Sequence, residues 1–375
     1  YLGYKNGTEA GAFFTVIANS NLKWETQVST DVALEFGLFD RLTGTIEWFR
    51  KDSKDLLFDV SQPASVGVSS IIQNIGKVSN SGVELELDYT AFKNRDWTVS
   101  VGLNATFVKN KIKKLPASMQ EHGYINGSKK WEEGRSIYDF WLRQWYGVDP
   151  QTGNGLYVPD LSKYNQGNIG KGEDNITQAQ YDAYKKTVVN VDGKELTNSY
   201  SYAKYDYSGS SIPDVFGGFN IKARYKSFDL AAVFSYQLGG KLLDSNYGTM
   251  MAMGEFGYAQ SPDLKKAWKQ PGDITDVPRV DNNATHSTNI GQGISTRWLT
   301  SSNYLNLRSI TLGYQLPKSW LSKVMVKSAR LNLTMENLFM LKARQGLNPM
   351  ANYTGLTYNE YMPSRNTTIG LNVSF

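Results

Sequence analysis

Covalent chemistry in a polypeptide needs a nucleophile, a base and a group that orients the base, all within reach of one another. This chain of 375 residues is poor in all three. It holds two histidines, His122 and His286, and no cysteine. Both histidines fall in polar, turn-rich stretches without metal-ligand spacing around them. The lack of thiols removes disulfide frameworks and thiolate metal sites together. Glu84 and Glu86 look like a carboxylate pair, but residues two apart on a strand merely share its polar side. "LGGK" at 238–241 lacks the glycine spacing of a phosphate loop. The expectation is a protein that is no enzyme and needs no cofactor or metal. Its net charge of +5 is not gathered into blocks, which argues against a nucleic-acid partner.

Side chains suited to binding are better represented. In "IYDFWLRQWYGV", at 137–148, a strand would put Tyr138, Phe140 and Leu142 on one side. Asp139, Trp141, Arg143 and Trp145 would share the other. Aromatic faces stack on sugar rings or peptide side chains, and a guanidinium fixes carboxylates or hydroxyls. These four residues are the substrate-binding candidates, with packing against a domain inside the fold as the alternative. The stretch 160–211 is rich in tyrosine, which is also enriched at interfaces. Tyr181, Tyr184, Tyr205 and Tyr207 are candidates for a partner interface, and a cargo or lid surface is the other reading. "AWKQPGDITDVPR" at 267–279 adds Trp268 and Arg279 to that set.

The elements that would position these residues alternate with period two. "GVELELDYT" sets Val83, Leu85, Leu87 and Tyr89 against Glu84, Glu86 and Asp88. "WTVSVGLNATF" sets Trp97, Val99, Val101, Leu103, Ala105 and Phe107 against small and polar neighbours. "RNTTIGLNVSF" ends the sequence in the same manner, on Phe375. Eleven strands are expected, at 24–38, 41–49, 78–90, 97–110, 137–148, 155–159, 213–226, 228–238, 304–316, 329–339 and 365–375. Short connections alternate with long polar ones at 50–77, 111–136, 160–212, 239–303 and 340–364. No run of about 18 apolar residues forms a membrane helix, whereas a tilted strand crosses a bilayer in about 9 to 11 residues. Soluble sandwiches share the alternation but do not sort their connections. Outer-membrane barrels do, with short periplasmic turns and long extracellular loops. The fold class expected is all-β, a transmembrane antiparallel β-barrel. Val83, Leu85, Leu87, Val99, Val101 and Leu103 should face lipid, with Tyr138, Phe140 and Leu142. Glu84, Glu86 and Asp88 should face the lumen, with the four substrate candidates, and Phe375 should sit at the periplasmic rim.

Five blocks carry a family resemblance. They are "NLKWETQVSTDVALEFGLFDRLTGTIEWFRKDSKDLL", "NIGKVSNSGVELELDY", "PDVFGGFNIKARYKSFDLAAVFSYQLGGKL", "AWKQPGDITDVPR" and the closing "SSNYLNLRSITLGYQLPKSWL…PSRNTTIGLNVSF". In this order they resemble SusC/RagA-type TonB-dependent transporters of Bacteroidota. "MENLFMLKARQGLNPM" departs from the family wording, and 111–136 and 160–211 carry none of its motifs. The resemblance implies a plugged barrel of about 22 strands. Residues 1–375 would then be its C-terminal part, about the last eleven strands, with the plug and the first barrel half outside this stretch. An odd strand count cannot close an antiparallel barrel, which supports the same expectation. The resemblance further implies nutrient import across the outer membrane of a Gram-negative bacterium. TonB would act through segments not in this stretch, and a SusD-like lipoprotein would serve as lid. An oligosaccharide is the expected cargo. A peptide importer of the same family and a barrel that imports nothing are the alternatives, and a soluble carbohydrate-binding β protein is a third.

Overall fold

Alternating strands with one apolar side can bury that side against a second layer or leave it to lipid. The computed structural model describes residues 2–6, 9–13, 17–62, 65, 67–68, 70–172, 175–252, 259–281, 291–321, 326–358 and 360–375, with side chains from residue 17 onward except Ser61. Nine strands form one sheet: β1 Thr26–Leu38, β2 Leu42–Ser61, β3 Ser70–Lys93, β4 Trp97–Lys114, β5 Val215–Tyr225, β6 Phe228–Leu238, β7 Tyr304–Gln315, β8 Ser328–Lys342 and β9 Asn366–Ser374. Their spatial order is their chain order, and every neighbouring pair is antiparallel. The hairpin Leu2–Asn6 with Glu9–Phe13 stands outside this sheet.

Two of the eleven expected strands are not in this wall. Segments 137–148 and 155–159 break into pieces of three to five residues, Asp139–Arg143, Trp145–Val148 and Gly155–Tyr157, in separate small sheets. Each is shorter than the roughly 9 residues a crossing needs. Removing two strands leaves the count odd, so β1 and β9 still run the same way. The expected loop 50–77 is also mostly strand. β2 continues to Ser61 and β3 starts at Ser70, so the pair rises well beyond its neighbours.

Short and long connections still alternate. β1–β2, β3–β4 and β5–β6 close in tight turns. Phe39 and Asp40 take φ of 57° and 52° in the first of these, and the Arg41 N–H bonds to the Leu38 carbonyl. At the β3–β4 turn the Asn94 side-chain oxygen accepts from the N–H groups of Asp96 and Trp97.

Register places most of the apolar strand residues on one face, with Phe49, Val78, Val108, Ile112 and Val233 on the other. Leu34, Ile46, Leu85 and Ala105 are cross-strand partners along one row, and Leu38, Leu42, Tyr89, Val101, Ile221, Ala232, Ile310 and Met335 along another. Among the described residues that apolar face meets no second layer. Leu34 is 64% exposed, Leu312 48% and Ile369 74%. At the turn end the row ends in rings. Trp97 meets Tyr225 at 4.4 Å and Phe228 meets Tyr314 at 4.5 Å. From Trp97 to Phe107 is ten residue steps of β4, about 33 Å of strand and about 23 Å of height at a 45° tilt. That matches the apolar band of about 25 Å with aromatic girdles found in outer-membrane barrels. Phe375 follows β9 and is 78% exposed.

The opposite face is polar. Glu47 lies directly across from Glu84, and Glu35 and Glu86 flank Thr45. Gly313 allows Arg330 to reach Asp229 across β7 at 2.5 Å, because a Cβ there would meet both side chains within 2.6 Å.

Candidate functional site

The segments between the wall strands at the long-connection end build a layer of their own. One small sheet runs Tyr205–Ser210, Asp139–Arg143, Lys129–Trp131, Tyr124–Asn126. The other runs Trp145–Val148, Gly155–Tyr157, Lys194–Thr197, Val188–Val191. Their core draws on three connections. Phe140 and Leu142 pack with Leu243, Met251, Ala267, Val277 and Trp298, and with Leu356 beside them. Phe140 is 0% exposed and Leu142 1%. The alternation expected at 137–148 is therefore present, but its apolar side faces this core and not lipid. Tyr138, half-buried, also stays in this layer, edge-on to Tyr353.

The other side of Asp139–Arg143 carries the substrate candidates. Trp141 lies parallel to Tyr205, with centroids 6.2 Å apart and planes 8° from each other, and meets Tyr207 edge-on at 4.8 Å. Lys130 sits 4.6 Å over the Trp141 ring and Arg135 3.5 Å over that of Tyr207. The Tyr207 hydroxyl donates to Glu132 at 2.6 Å. Burial and that bond push the phenol above its usual range. Arg143 lies over the rings of Tyr200 and Tyr205, donates one N–H to the Tyr200 carbonyl, and keeps a buried Nε without a partner. Asp139 stands 3.9 Å from Arg135. Trp145 belongs to the second sheet, where Arg297 covers it at 4.9 Å and Tyr157 meets it edge-on at 5.2 Å. Burial lowers Arg297 to about 10. Asp139, Trp141 and Arg143 are thus brought together, with Trp145 one sheet away. All four sit in the loop layer and none on a wall strand.

The partner candidates divide. Tyr184 is 1% exposed, packs with Tyr164 and Tyr202, and donates to Glu195 at 2.6 Å. It builds the layer and offers no surface, which corrects its expected role. The helix that carries it, Gln178–Lys185, is capped by Thr177 and Gln180 in a reciprocal box. Tyr181 is half-buried, and Tyr205 is 40% exposed. Trp268 donates from its indole to the Pro150 carbonyl at 2.9 Å, and Arg279 bonds Asn154 at 3.0 Å and pairs with Asp281 at 2.8 Å. The 267–279 segment is therefore ordered by the 149–154 turn. Gly153 at that turn has φ 69°, and any Cβ there would strike the Trp268 ring at 2.4 Å.

A residue the sequence did not single out ties the layer together. Lys129 is buried, with its ammonium on the Tyr138 carbonyl at 3.0 Å and the Ser211 hydroxyl at 3.1 Å. It lies 4.5 Å over the Phe140 ring, and burial lowers it to about 8. Its sequence signal is slight: one lysine of a pair in "KKW". Among the described residues no group of three His, Cys, Asp or Glu could hold a metal. His122 is exposed, and His286 lies outside the described residues.

A lipid-height apolar belt, ring-bearing turns and a built-up layer over the long connections define the wall of an outer-membrane β-barrel. No described helix is long and apolar enough to cross a membrane. Residues 1–241 match the family model described as "TonB dependent receptor-like, beta-barrel". Over a 384-residue alignment the chain is 31% identical to TonB-dependent receptor P3 of Formosa agariphila, covering 97% of this chain and 36% of that receptor. It is 25% identical to TonB-dependent receptor SusC of Bacteroides thetaiotaomicron, over 95% of this chain and 32% of SusC. A structure of the RagAB peptide transporter superposes with a TM-score of 0.77 at 25% identity, covering all of this chain and 38% of that one. The chain belongs to the TonB-dependent receptor β-barrel family, and is of the SusC/RagA type. It spans about a third of the length of the curated relatives it matches. In such barrels the tight turns are periplasmic and the long connections extracellular.

Proposed function

We propose that the receptor containing this chain imports an oligosaccharide across the outer membrane, driven by TonB. The chain supplies wall strands and an extracellular vestibule, and its role there is binding and passage without catalysis. The observation that carries the cargo class is the Trp141–Tyr205 platform, two nearly parallel rings with Lys130 over the first and Arg143 over the second. Sugar rings present flat C–H faces that stack on such rings, while their hydroxyls take donors such as the Lys130 ammonium at the Trp141 ring. A SusD-like lipoprotein is the lid in this proposal, docking on the loop layer where Tyr181 and Tyr205 reach its surface.

Peptide import is the second reading. It is supported by the fold shared with a transporter described as one for peptides, and Arg143 would suit a peptide carboxylate. The full-length receptor with Trp141→Ala and Tyr205→Ala tests the choice by binding to oligosaccharide and peptide mixtures. Oligosaccharide affinity should fall about ten-fold or more, as for loss of aromatic anchors, and peptide binding should not change. Unchanged oligosaccharide affinity overturns the proposal. A loss confined to peptides, repeated in Arg143→Met, moves the assignment to the peptide reading.

A further inference from the structure

The outward face of β2–β4 changes character abruptly above the apolar belt. The last apolar row is Val32, Trp48, Val83 and Phe107. The next three rows on the same face read Thr30, Arg50, Ser81, Lys109; Val28, Asp52, Ser79, Lys111; and Thr26, Lys54, Lys77, Lys114. Six cations therefore face one carboxylate. Asp52 is shared by Arg50 at 3.2 Å and Lys77 at 3.8 Å. Lys54, Lys109, Lys111 and Lys114 have no ion pair among the described residues. Lys54, Lys77 and Lys114 are direct cross-strand partners, an arrangement that repels unless an anion is shared between them.

The wall is also open at this level. The β4–β5 ladder ends at Thr106–Phe216, and β4 is next tied to the loop layer by the Asn110 side-chain oxygen, which accepts from the Ile137 N–H at 3.0 Å, and by the Ile112 N–H, which donates to the Arg135 carbonyl. Between these points lies a cleft of about 760 Å³. Trp48, Val83 and Phe107 line it below, Lys109, Lys111 and Arg135 beside and above, and Asp139 and Asp214 on its far side. It is continuous with the lipid-facing belt.

We propose that this band and cleft bind the phosphorylated headgroup of an outer-leaflet glycolipid. Phosphate oxygens would sit among Lys54, Lys109 and Lys111, with an acyl chain against Trp48 and Phe107. The position fits the occupant: the cations lie where an apolar membrane core gives way to headgroups, on the extracellular side. Polybasic surfaces at that depth bind anionic lipid by charge, and long lysine stems reach outward while their methylenes stay on apolar surface. Lys54, Lys109 and Lys111 stand on wall strands and are not part of the Trp141–Tyr205 platform, so the proposal holds for either cargo.

The test uses the full-length receptor extracted in mild detergent, with co-purifying phosphorylated glycolipid counted by native mass spectrometry. Lys54→Gln, Lys109→Gln and Lys111→Gln together should weaken lipid retention about a hundred-fold, given the worth of single basic residues near anionic surfaces. Heat-modifiable gel mobility checks that the barrel is folded. Unchanged lipid in a folded variant overturns the proposal. Loss of a co-purifying lipoprotein with lipid retained also overturns it, and makes the band a protein interface. In wild-type receptor reconstituted in nanodiscs, the phosphorylated glycolipid should bind and its dephosphorylated form should not. Equal binding of both, or full displacement by millimolar inorganic phosphate, overturns the headgroup assignment even where the triple variant fails to fold.

Discussion

β3 and the segment Asp139–Arg143 read alike and end in opposite surroundings. Leu85 and Leu87 alternate with Glu84 and Glu86, as Phe140 and Leu142 alternate with Asp139 and Trp141. Leu85 nevertheless belongs to a face that no described residue covers with a second layer, while Phe140 is sealed in a core drawn from three connections. Period two says that a strand has two unlike faces. It does not say what covers the apolar one. Ladder length decides that: β3 has 24 residues and pairs along its length with β2 and β4, whereas Asp139–Arg143 has five and pairs with short strands of its own layer. Five residues cannot reach across a bilayer, so their apolar side has to find protein.

The strongest way to break this comparison is to empty the buried side. Phe140→Ala should destabilise the loop layer by about 3 to 5 kcal/mol, the usual range for a buried phenylalanine. Proteases should then cut within 115–214 and 239–303, because both connections contribute to the same core. Heat-modifiable mobility should be retained, since the wall ladders do not involve this ring. A variant whose loops stay resistant would mean that the two apolar faces are not different in kind.

The complementary change tests the exposed side. Leu85→Arg puts a charge on the lipid face one row below the upper edge of the belt, and should cost between the about 2 to 4 kcal/mol of a midplane site and the about 0 to 1 kcal/mol of the interface. Barrel unfolding in urea should report this loss, while protection of the Phe140 core should not change. A neutral result would show that Leu85 does not meet lipid.

Most of the wall was legible in the residues. Strict alternation at 82–90, 97–107 and 365–375 gave the right faces, and the tight turns at 39–41, 94–96 and 226–227 gave the right hairpins. The segment 50–77 was misread because its outer part alternates weakly: beyond Phe49 the lipid face becomes charged, and a strand above the membrane looks like a polar loop. The loop layer was misread for the converse reason. Its strands alternate, yet their partners lie far along the chain, as with Trp145 and Thr296, and no local signal announces such packing. Trp141 and Arg143 were recognised as an unusual pair from type alone. Their neighbours Tyr200, Tyr205 and Tyr207 came from a separate stretch, and only the antiparallel pairing of Tyr205–Ser210 with Asp139–Arg143 joined the two sets. Tyr184 lay in the same tyrosine-rich run, and composition could not separate it from its exposed neighbours.

The finest difference between wall and layer is electrostatic. Lysines on the outward face of the wall end in solvent, but Lys129 ends among Tyr138, Phe140 and Ser211. Burial favours its neutral form and lowers it to about 8 from the usual 10.5. Below pH 8 the lysine is charged both folded and unfolded, and the layer bears the full cost of burying that charge. Between about 8 and 10.5 the folded layer has released the proton and the unfolded one has not. The unfolded state then binds more protons, so stability rises with pH through this window. From pH 7 to pH 9 the gain should be about 1 kcal/mol, read as slower proteolysis or hydrogen exchange of the Asp139–Arg143 strand. Burial raises the neighbouring Tyr138 phenol, so its linkage has the opposite sign, with stability falling as pH rises through the ordinary phenol range, above the interval from pH 7 to pH 9. Lys129→Met keeps the stem over the Phe140 ring and removes the titrating group, so the pH dependence should vanish even though two hydrogen bonds are lost. Persistence of the full rise in Lys129→Met would assign it to another group and leave Lys129 solvated like the lysines of the wall.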